Sequence, residues 1–216
     1  MFHNFDLEHV IITLVVLVVS ISLHEFGHAF SADRLGDDTP RRQGRVTLWP
    51  DKHFDMFGFI MIVVTTLFGF GIGWGKPVQV DFRNFKNVRR DDIIVTACGP
   101  LMNLLLALFF GMVLRILIAT GGIHALNPSI TNLFLSFLTI NLSLMFFNLL
   151  PIYPLDGSHI VRRILSPDLG EPYYRFMQQW GPLILMLLII SGGSILGTII
   201  GPAVSNMTYL ILGLPR

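Results

Sequence analysis

A nearly uncharged run over residues 10–32 constrains this chain more than any other feature of its sequence. Glu25 is the only charged residue in the run. A helix of about 23 residues is about 35 Å long, enough to cross a bilayer whose hydrocarbon core is about 30 Å thick. The run therefore predicts a membrane-spanning helix. The composition agrees, because 52% hydrophobic residues, 13% charged residues and a mean hydropathy of +0.65 are typical of an integral membrane protein and exclude a soluble one.

The same run contains two histidines and a carboxylate in the spacing His-Glu-x-x-His. His24 and His28 are four residues apart, so on a helix their imidazoles lie on one face and can share a metal ion. Glu25 lies to the side of that pair, where it can reach a metal-held water without being a ligand. Polar groups at this depth are costly and typically functional. The alternative interpretation is a pair of ordinary helix histidines with a glutamate that reaches the membrane surface.

Further apolar runs predict the remaining membrane helices. Two of them, residues 93–114 and 131–149, predict one helix each, and the uncharged residues 176–212 are long enough for two helices divided at Gly192-Gly193-Ser194. The predicted fold class is an all-α polytopic membrane protein with five or six transmembrane helices. We expect residues 1–216 to form a single membrane domain with a core at 10–165 and a C-terminal helical hairpin at 173–212.

Residues 56–75 are uncharged but have an unusual composition for a membrane helix. They contain five glycines, and the β-branched run at 60–66 favours a strand, a loop or a broken re-entrant element. Residues 46–48 precede a proline and predict a second short strand. We therefore expect a small β or re-entrant element between the first two core helices.

The positions of the basic residues favour the re-entrant interpretation. Of the 15 Lys and Arg residues, five lie in 33–55, five in 76–92 and three in 156–175. If residues 56–75 dip into the membrane and return, all three clusters lie on the cytoplasmic side, as basic loops prefer. A crossing would place the first two clusters on opposite sides. The prediction is five crossings in a multi-pass protein, with the N-terminus outside and the C-terminus inside.

A third metal ligand must come from elsewhere, because a catalytic zinc site typically has three protein ligands and an open position for water. Asp156 is the strongest candidate. It follows Pro151 and Pro154, which interrupt the third helix and free backbone at a depth where irregular structure lines protein or water. The predicted topology places it on the same side as His24 and His28. The alternative role for Asp156 is that of a helix N-cap.

Five short motifs are spread over most of the chain. In order they are His24-Glu25-Phe26-Gly27-His28, Gly44-Arg45-Val46-Thr47, Gly73-Trp74-Gly75-Lys76-Pro77-Val78, Gly99-Pro100-Leu101-Met102-Asn103 and the run from Asn148 to Gly157. In this order they resemble the site-2 protease family of intramembrane zinc metalloproteases, and most closely the compact members without an inserted PDZ domain. The resemblance implies one zinc ion held by His24, His28 and Asp156, Glu25 as general base, and a site facing the cytoplasm from the cell membrane.

An oxyanion formed during peptide hydrolysis needs a hydrogen-bond donor besides the metal. Asn103, Asn141 and Asn148 are the candidates, and the Gly-Pro-x-x-Asn motif makes Asn103 the first choice. The alternative for each amide is an interhelical hydrogen bond. We also expect residues 46–48 and 60–66 to offer a strand edge that pairs with an extended substrate.

The predicted function is hydrolysis of peptide bonds within or near transmembrane segments of membrane-protein substrates. The partners are such a substrate and the lipid bilayer, and a net charge of +1 gives no indication of nucleic acid. The main alternative is a membrane metal-ion transporter that uses the same cluster. A transporter needs a route to both sides, whereas these polar groups gather toward one side. A third interpretation is an inactive scaffold that binds membrane helices, against which the intact Glu25 argues.

Overall fold

The computed structural model describes residues 6–68, 73–191 and 194–215. Within these ranges the regular structure is entirely helical, as predicted. The α-helices are α1 (Leu7–Arg34), α2 (Thr39–Arg42), α3 (Met56–Phe68), α4 (Val88–Ala119), α5 (Pro128–Asn148), α6 (Asp156–Ile164), α7 (Pro167–Ile190) and α8 (Ser194–Leu212). Three short 3₁₀ turns cover Pro50–Lys52, Phe82–Asn84 and Gly122–Ala125. The link from α4 to α5 is too short to hold an inserted domain.

Four of the described helices are long and apolar enough to cross a membrane, namely α1, α4, α5 and α8. Large apolar side chains such as Phe109, Ile116 and Leu210 are exposed on their outer faces, as expected of surfaces that meet lipid rather than water. The chain is therefore an integral membrane protein. The first third of α7 contains charged residues, so a fifth crossing through α7 remains a prediction.

Helix α4 lies at the centre of the bundle and packs against α1, α5, α6 and α8. Buried Ala107, Leu114, Leu138, Leu142 and Ile211 form the apolar core that α4, α5 and α8 share. Helices α1 and α4 touch through their backbones, because a Cβ added at position 27 would lie 2.6 Å from the carbonyl oxygen of residue 98. The His-Glu-x-x-His motif is thereby held directly against α4.

The predictions of strands at residues 46–48 and 60–66 were wrong. The first segment is bent, and the second lies within helix α3. In an apolar environment a helix pairs its own backbone groups, whereas a lone strand leaves them unpaired, so this requirement outweighs β-propensity. Helix α3 has 13 residues and is about 20 Å long, which is shorter than the hydrocarbon core.

An extended segment at residues 73–81 returns along α3 toward α1. A Cβ at Gly73 would lie 2.1 Å from the Ile62 side chain, and one at Gly58 would lie 2.4 Å from the carbonyl oxygen of Trp74, so glycine permits the close contact on both sides. Re-entry of residues 56–75 into the membrane remains a prediction. The glycines at 69 and 71 and the predicted division at Gly192-Gly193 lie outside the described residues.

Helix α6 is fixed to α4 by charged groups. Arg163 Nε lies 2.5 Å from Asp92 Oδ2, and Arg89 donates to the backbone carbonyls of residues 163, 164 and 165 at the end of α6. The positive charge of Arg89 also interacts favourably with the negative, C-terminal end of the α6 dipole. Helix α7 packs mainly on α6, and α8 packs on α5 and α4, so the two C-terminal helices pack mainly on different neighbours rather than on each other.

Candidate metal centre

Three potential metal ligands converge between α1 and α6. His24 Nε2 lies 3.1 Å from His28 Nε2 and 3.2 Å from Asp156 Oδ2, and His28 Nε2 lies 3.4 Å from Asp156 Oδ1. Two ligands of a tetrahedral zinc with bonds of about 2.0–2.1 Å are about 3.3 Å apart. The two imidazole nitrogens and the Asp156 carboxylate, which faces each histidine with a different oxygen, therefore form a triangle in which they approach one another at the separations that ligands of one zinc ion have.

The chemistry of the three groups fits a zinc ion as well. Among the described residues, Asp156 Oδ2 is buried and has no hydrogen-bond partner, which is costly for a carboxylate that no cation neutralises. His28 Nδ1 lies 2.8 Å from the carbonyl oxygen of Val95. A carbonyl only accepts, so Nδ1 carries the proton and Nε2 presents its lone pair to the triangle. Two imidazoles and one carboxylate are a ligand set typical of catalytic zinc.

Gly99 of α4 leaves the space that such an ion needs. A Cβ added at this position would lie 2.3 Å from His28 Nε2 and 2.7 Å from His24 Nε2. The absent side chain thus leaves an opening directly over the two nitrogens. Glycine is costly inside a helix, so its presence here is explained by the site rather than by the helix.

Asp156 is the first residue of α6, and the N-cap position is occupied by Leu155. The carboxylate therefore does not cap the helix, and the N-cap interpretation of Asp156 was wrong. Gly157 lies against the backbone carbonyls of Leu149 and Leu150, where a Cβ would approach within 2.3 Å. This contact between the end of α5 and the start of α6 brings Asp156 over the α1 histidines.

Glu25 lies beside the triangle, next to a buried arginine that the sequence analysis did not single out. The Arg45 side chain is 4% exposed, and its Nη2 lies 3.7 Å from Glu25 Oε2. It also donates to the carbonyl oxygen of Lys76. Among the described residues, Glu25 Oε2 has no hydrogen-bond partner. Burial lowers the pKa of Arg45 while the charge of Glu25 raises it, and the guanidinium remains a cation beside the carboxylate.

A cavity of about 510 Å³ opens in front of these groups. Its wall combines the polar face of α1 with the extended segment 73–80, and parts of α4, α5, α6 and α7 complete it. Gly75 approaches Glu25, since a Cβ there would lie 3.1 Å from Glu25 Oε1. The glycine at position 75 therefore lets the segment lie directly against Glu25.

The three candidate asparagines occupy different positions around the centre. Asn103 is fully buried, with its Oδ1 2.7 Å from His24 Nδ1 and its Nδ2 2.9 Å from Asn141 Oδ1. Both polar atoms of the Asn103 amide are therefore engaged. Asn148 lies on the cavity wall and donates one hydrogen bond, to the carbonyl oxygen of Leu144. An amide nitrogen has two hydrogens, so Asn148 has one left for a ligand.

His159 also lies on the cavity wall. Its Nε2 is 3.1 Å from the hydroxyl of Tyr174 on α7, and burial lowers the pKa of this histidine. A neutral imidazole bonded to a hydroxyl group links α6 to α7 behind Asp156.

Comparison with known proteins agrees with this site. The profile of Peptidase family M50 matches residues 12–126 and 115–192. YwhC of Bacillus subtilis, named as a proposed zinc metalloprotease, is 37% identical over 181 residues, which cover 82% of this chain and 80% of YwhC. Rip2 of Mycolicibacterium smegmatis, also named as a proposed zinc metalloprotease, is 32% identical over 84% of this chain and 67% of its own length.

Rip2 of Mycobacterium tuberculosis is 36% identical over 70% of this chain and 56% of its own length. No solved structure matches the chain significantly. The family profile covers most of the chain, including the His-Glu-x-x-His motif, Gly99 and the candidate ligand Asp156. The chain therefore belongs to Peptidase family M50, the site-2 protease family of intramembrane zinc metalloproteases.

Proposed function

We propose that this chain hydrolyses peptide bonds within or near transmembrane segments of membrane proteins, with zinc held by His24, His28 and Asp156 and with Glu25 as general base. The approach of the two imidazole nitrogens and the Asp156 carboxylate to within 3.1–3.4 Å of one another, beside Glu25, is the observation that carries the proposal. A metal-ion transporter has no specific support, because the three candidate ligands and Glu25 all line one cavity.

Zinc in this site lowers the pKa of a bound water toward about 7 and polarises the peptide carbonyl. Glu25 Oε2, without a hydrogen-bond partner among the described residues, is free to accept the proton that the attacking water loses. The Arg45 cation at 3.7 Å favours the ionised form of this carboxylate. Glu25 then donates the same proton to the nitrogen of the leaving amine.

Asn148 is the proposed donor to the oxyanion, in place of Asn103. Its side chain lies on the cavity wall with one N–H uncommitted, whereas both polar atoms of Asn103 bond to neighbours. In other hydrolases, removing a single preorganised donor of this kind lowers kcat by a factor of about 10²–10³. Asn148→Leu is expected to lower kcat by about this factor with little change in zinc content.

The substrate edge is proposed for residues 73–80 rather than for 46–48 and 60–66. This segment is extended and lies on the cavity wall beside Glu25. It is held from behind, since the Lys76 N–H donates to the His53 carbonyl at 2.7 Å and the Lys76 carbonyl accepts from Arg45. A substrate helix must unwind to expose its carbonyls, and pairing with a fixed extended segment stabilises the unwound form.

The proposed orientation places the site toward the cytoplasm of the cell membrane. The basic clusters at residues 33–55, 76–92 and 156–175 follow α1, precede α4 and follow the start of α6. These helix ends meet around the metal centre, so the clusters and the centre lie at one end of the bundle. Basic residues favour the cytoplasmic side, which supports this orientation.

The test uses the purified full chain in liposomes with zinc and a single-pass membrane substrate. Wild type is compared with Glu25→Gln and with Glu8→Gln, a matched control at the exposed start of α1. We expect cleavage to be lost in Glu25→Gln while zinc is retained, and both to be unchanged in Glu8→Gln. Equal cleavage by wild type and Glu25→Gln refutes the mechanism, and zinc flux into the vesicles without cleavage identifies a transporter.

A further inference from the structure

A chain of polar groups crosses the apolar interior behind the metal centre. Ser20, Asn103 and Asn141 come from α1, α4 and α5, and all three are 0% exposed. Asn141 Nδ2 lies 2.8 Å from Ser20 Oγ and 2.9 Å from the carbonyl oxygen of Phe137. Asn141 Oδ1 lies 2.9 Å from Asn103 Nδ2, and Asn103 Oδ1 lies 2.7 Å from His24 Nδ1. This series of hydrogen-bonded side chains ends at His24, a proposed metal ligand.

The orientation of both amides is determined by backbone carbonyls, that of Phe137 for Asn141 and, at 3.4 Å from Asn103 Nδ2, that of Ser20 for Asn103. A backbone carbonyl only accepts hydrogen bonds, so the group that faces the Phe137 carbonyl must be the NH₂ of Asn141. Asn141 Oδ1 then faces Asn103 and requires a donor there. Asn103 must present its NH₂ to Asn141, and its Oδ1 to His24. Rotating either amide would bring two acceptors or two donors together in a buried site.

The same logic determines the tautomer of neutral His24. Because Asn103 Oδ1 only accepts, His24 Nδ1 must carry a proton. In the neutral imidazole Nε2 then has no proton and presents its lone pair toward His28 Nε2 and Asp156 Oδ2. His28 reaches this state directly through the carbonyl of Val95. His24 reaches it through Asn103, whose amide is oriented by Asn141 of α5 and by the Ser20 carbonyl of α1.

We propose that Asn103 and Asn141 are positioning residues that hold His24 in the tautomer whose Nε2 binds zinc. The proposal rests on the metal site of the proposed function. Hydrogen-bond partners of metal-binding histidines typically affect metal affinity by about 10–100-fold. A positioning role also explains why two amides are buried among apolar helices. A single hydrogen bond between two helices would need only one donor and one acceptor, not two complete amide groups.

The experiment measures zinc affinity of the purified full chain by competition with a chelator of known affinity, and the spectrum of the cobalt-substituted protein. Asn103→Leu removes the acceptor for His24 and is expected to weaken zinc binding by about 10–100-fold. Asn103→Asp keeps an oxygen facing His24, and in its neutral form its O–H donates to Asn141, so it is expected to retain most of the affinity. Ser143→Ala is the control, because it removes a bond within α5 that is outside the polar chain.

Asn141→Leu tests the second step. It removes the shorter of the two hydrogen bonds that orient the Asn103 NH₂ and leaves only the 3.4 Å bond to the Ser20 carbonyl oxygen, so we expect a smaller loss of affinity than in Asn103→Leu and a broadened cobalt spectrum. If Asn141 acts through Asn103, the double variant binds zinc as weakly as Asn103→Leu alone. Where Asn103→Leu does not fold, Asn141→Leu and Asn103→Asp together decide the question.

Wild-type affinity in folded Asn103→Leu, or in Asn141→Leu where the first does not fold, overturns the proposal. An equal loss in Asn103→Asp and Asn103→Leu also overturns it, because packing rather than the acceptor would then be the cause. A failure of the proposed metal site gives a different result. In that case His24→Ala and Asp156→Ala bind zinc with the same affinity as wild type.

Discussion

The space above the ligand nitrogens offers a sharp test of the metal centre, through the substitution Gly99→Ala. The added methyl group would lie 2.3 Å from His28 Nε2, 2.5 Å from His28 Cε1 and 2.7 Å from His24 Nε2. Favourable contacts between such atoms begin at about 3.5 Å, so the imidazoles must retreat by about 1 Å. Metal–ligand distances tolerate only about 0.2 Å. The two histidines therefore cannot keep a shared zinc ion.

The expected result is a loss of zinc affinity of at least about 100-fold, at the upper end of what groups around a metal site cause. The fold is expected to survive, because overpacking costs about 1–3 kcal/mol whereas replacing a helical glycine with alanine contributes about 1 kcal/mol. Zinc content after dialysis, thermal unfolding of the metal-free protein and cleavage of a membrane substrate are measured together. Gly201→Ala is the control, since a Cβ at that helical position meets nothing within 4 Å.

A Gly99→Ala protein that binds one zinc with wild-type affinity would refute the placement of the metal between His24 and His28. Loss of zinc together with collapse of the fold would contradict the energetic argument, because the methyl group would then disturb helix packing rather than the site alone. Zinc loss in the Gly201→Ala control would show that the assay reports general destabilisation.

Three further predictions concern the groups around the centre. Removing zinc with a chelator is expected to abolish cleavage, and adding zinc back is expected to restore it in wild type but not in Glu25→Gln. Arg45→Gln removes the cation beside Glu25 and is expected to lower kcat by about tenfold with a smaller change in KM; unchanged kinetics would exclude a role for this charge. The stability of the protein is expected to depend on pH through buried Asp37. Burial raises the pKa of its carboxyl group, but hydrogen bonds from Thr39, from Asn84 and from the backbone lower this pKa by more, so the net direction is down. Its stabilising contribution is therefore complete above the usual carboxyl pKa of about 4 and is lost as pH falls below that value. We expect Asp37→Asn to unfold at lower temperature at pH 7, and the difference from wild type to shrink in acid.

The long helices and the histidine pair were predictable because their signals are local. The apolar runs at residues 10–32 and 93–114 lie inside α1 and α4, the run at 131–149 lies inside α5 except for its last residue, and the four-residue spacing alone places His24 and His28 on one face. The ends of the helices extend beyond the apolar runs, since polar residues continue a helix into the membrane surface.

The misjudged features depend on partners that the sequence does not display. The β-branched residues of α3 favoured a strand, a loop or a broken re-entrant element, but the need to pair backbone groups in an apolar environment favours a helix. The sequence predicts Asn103 as an oxyanion donor, but in the structure its amide is hydrogen-bonded to Asn141 and His24. Arg45 appears in the sequence as one of several loop cations, and only the fold brings it beside Glu25.

The ligand set is divided between two parts of the bundle. His24 and His28 belong to α1, whereas Asp156 begins α6, which is braced on α4 by Arg163 and packs against α7. A zinc ion between them is therefore a cross-link whose binding energy adds to the stability of the assembled protein, by about 4 kcal/mol when free zinc is a thousandfold above its dissociation constant. We therefore expect zinc starvation to loosen α6 and α7 from α1 and to make the protein a better substrate for the cell's own quality-control proteases.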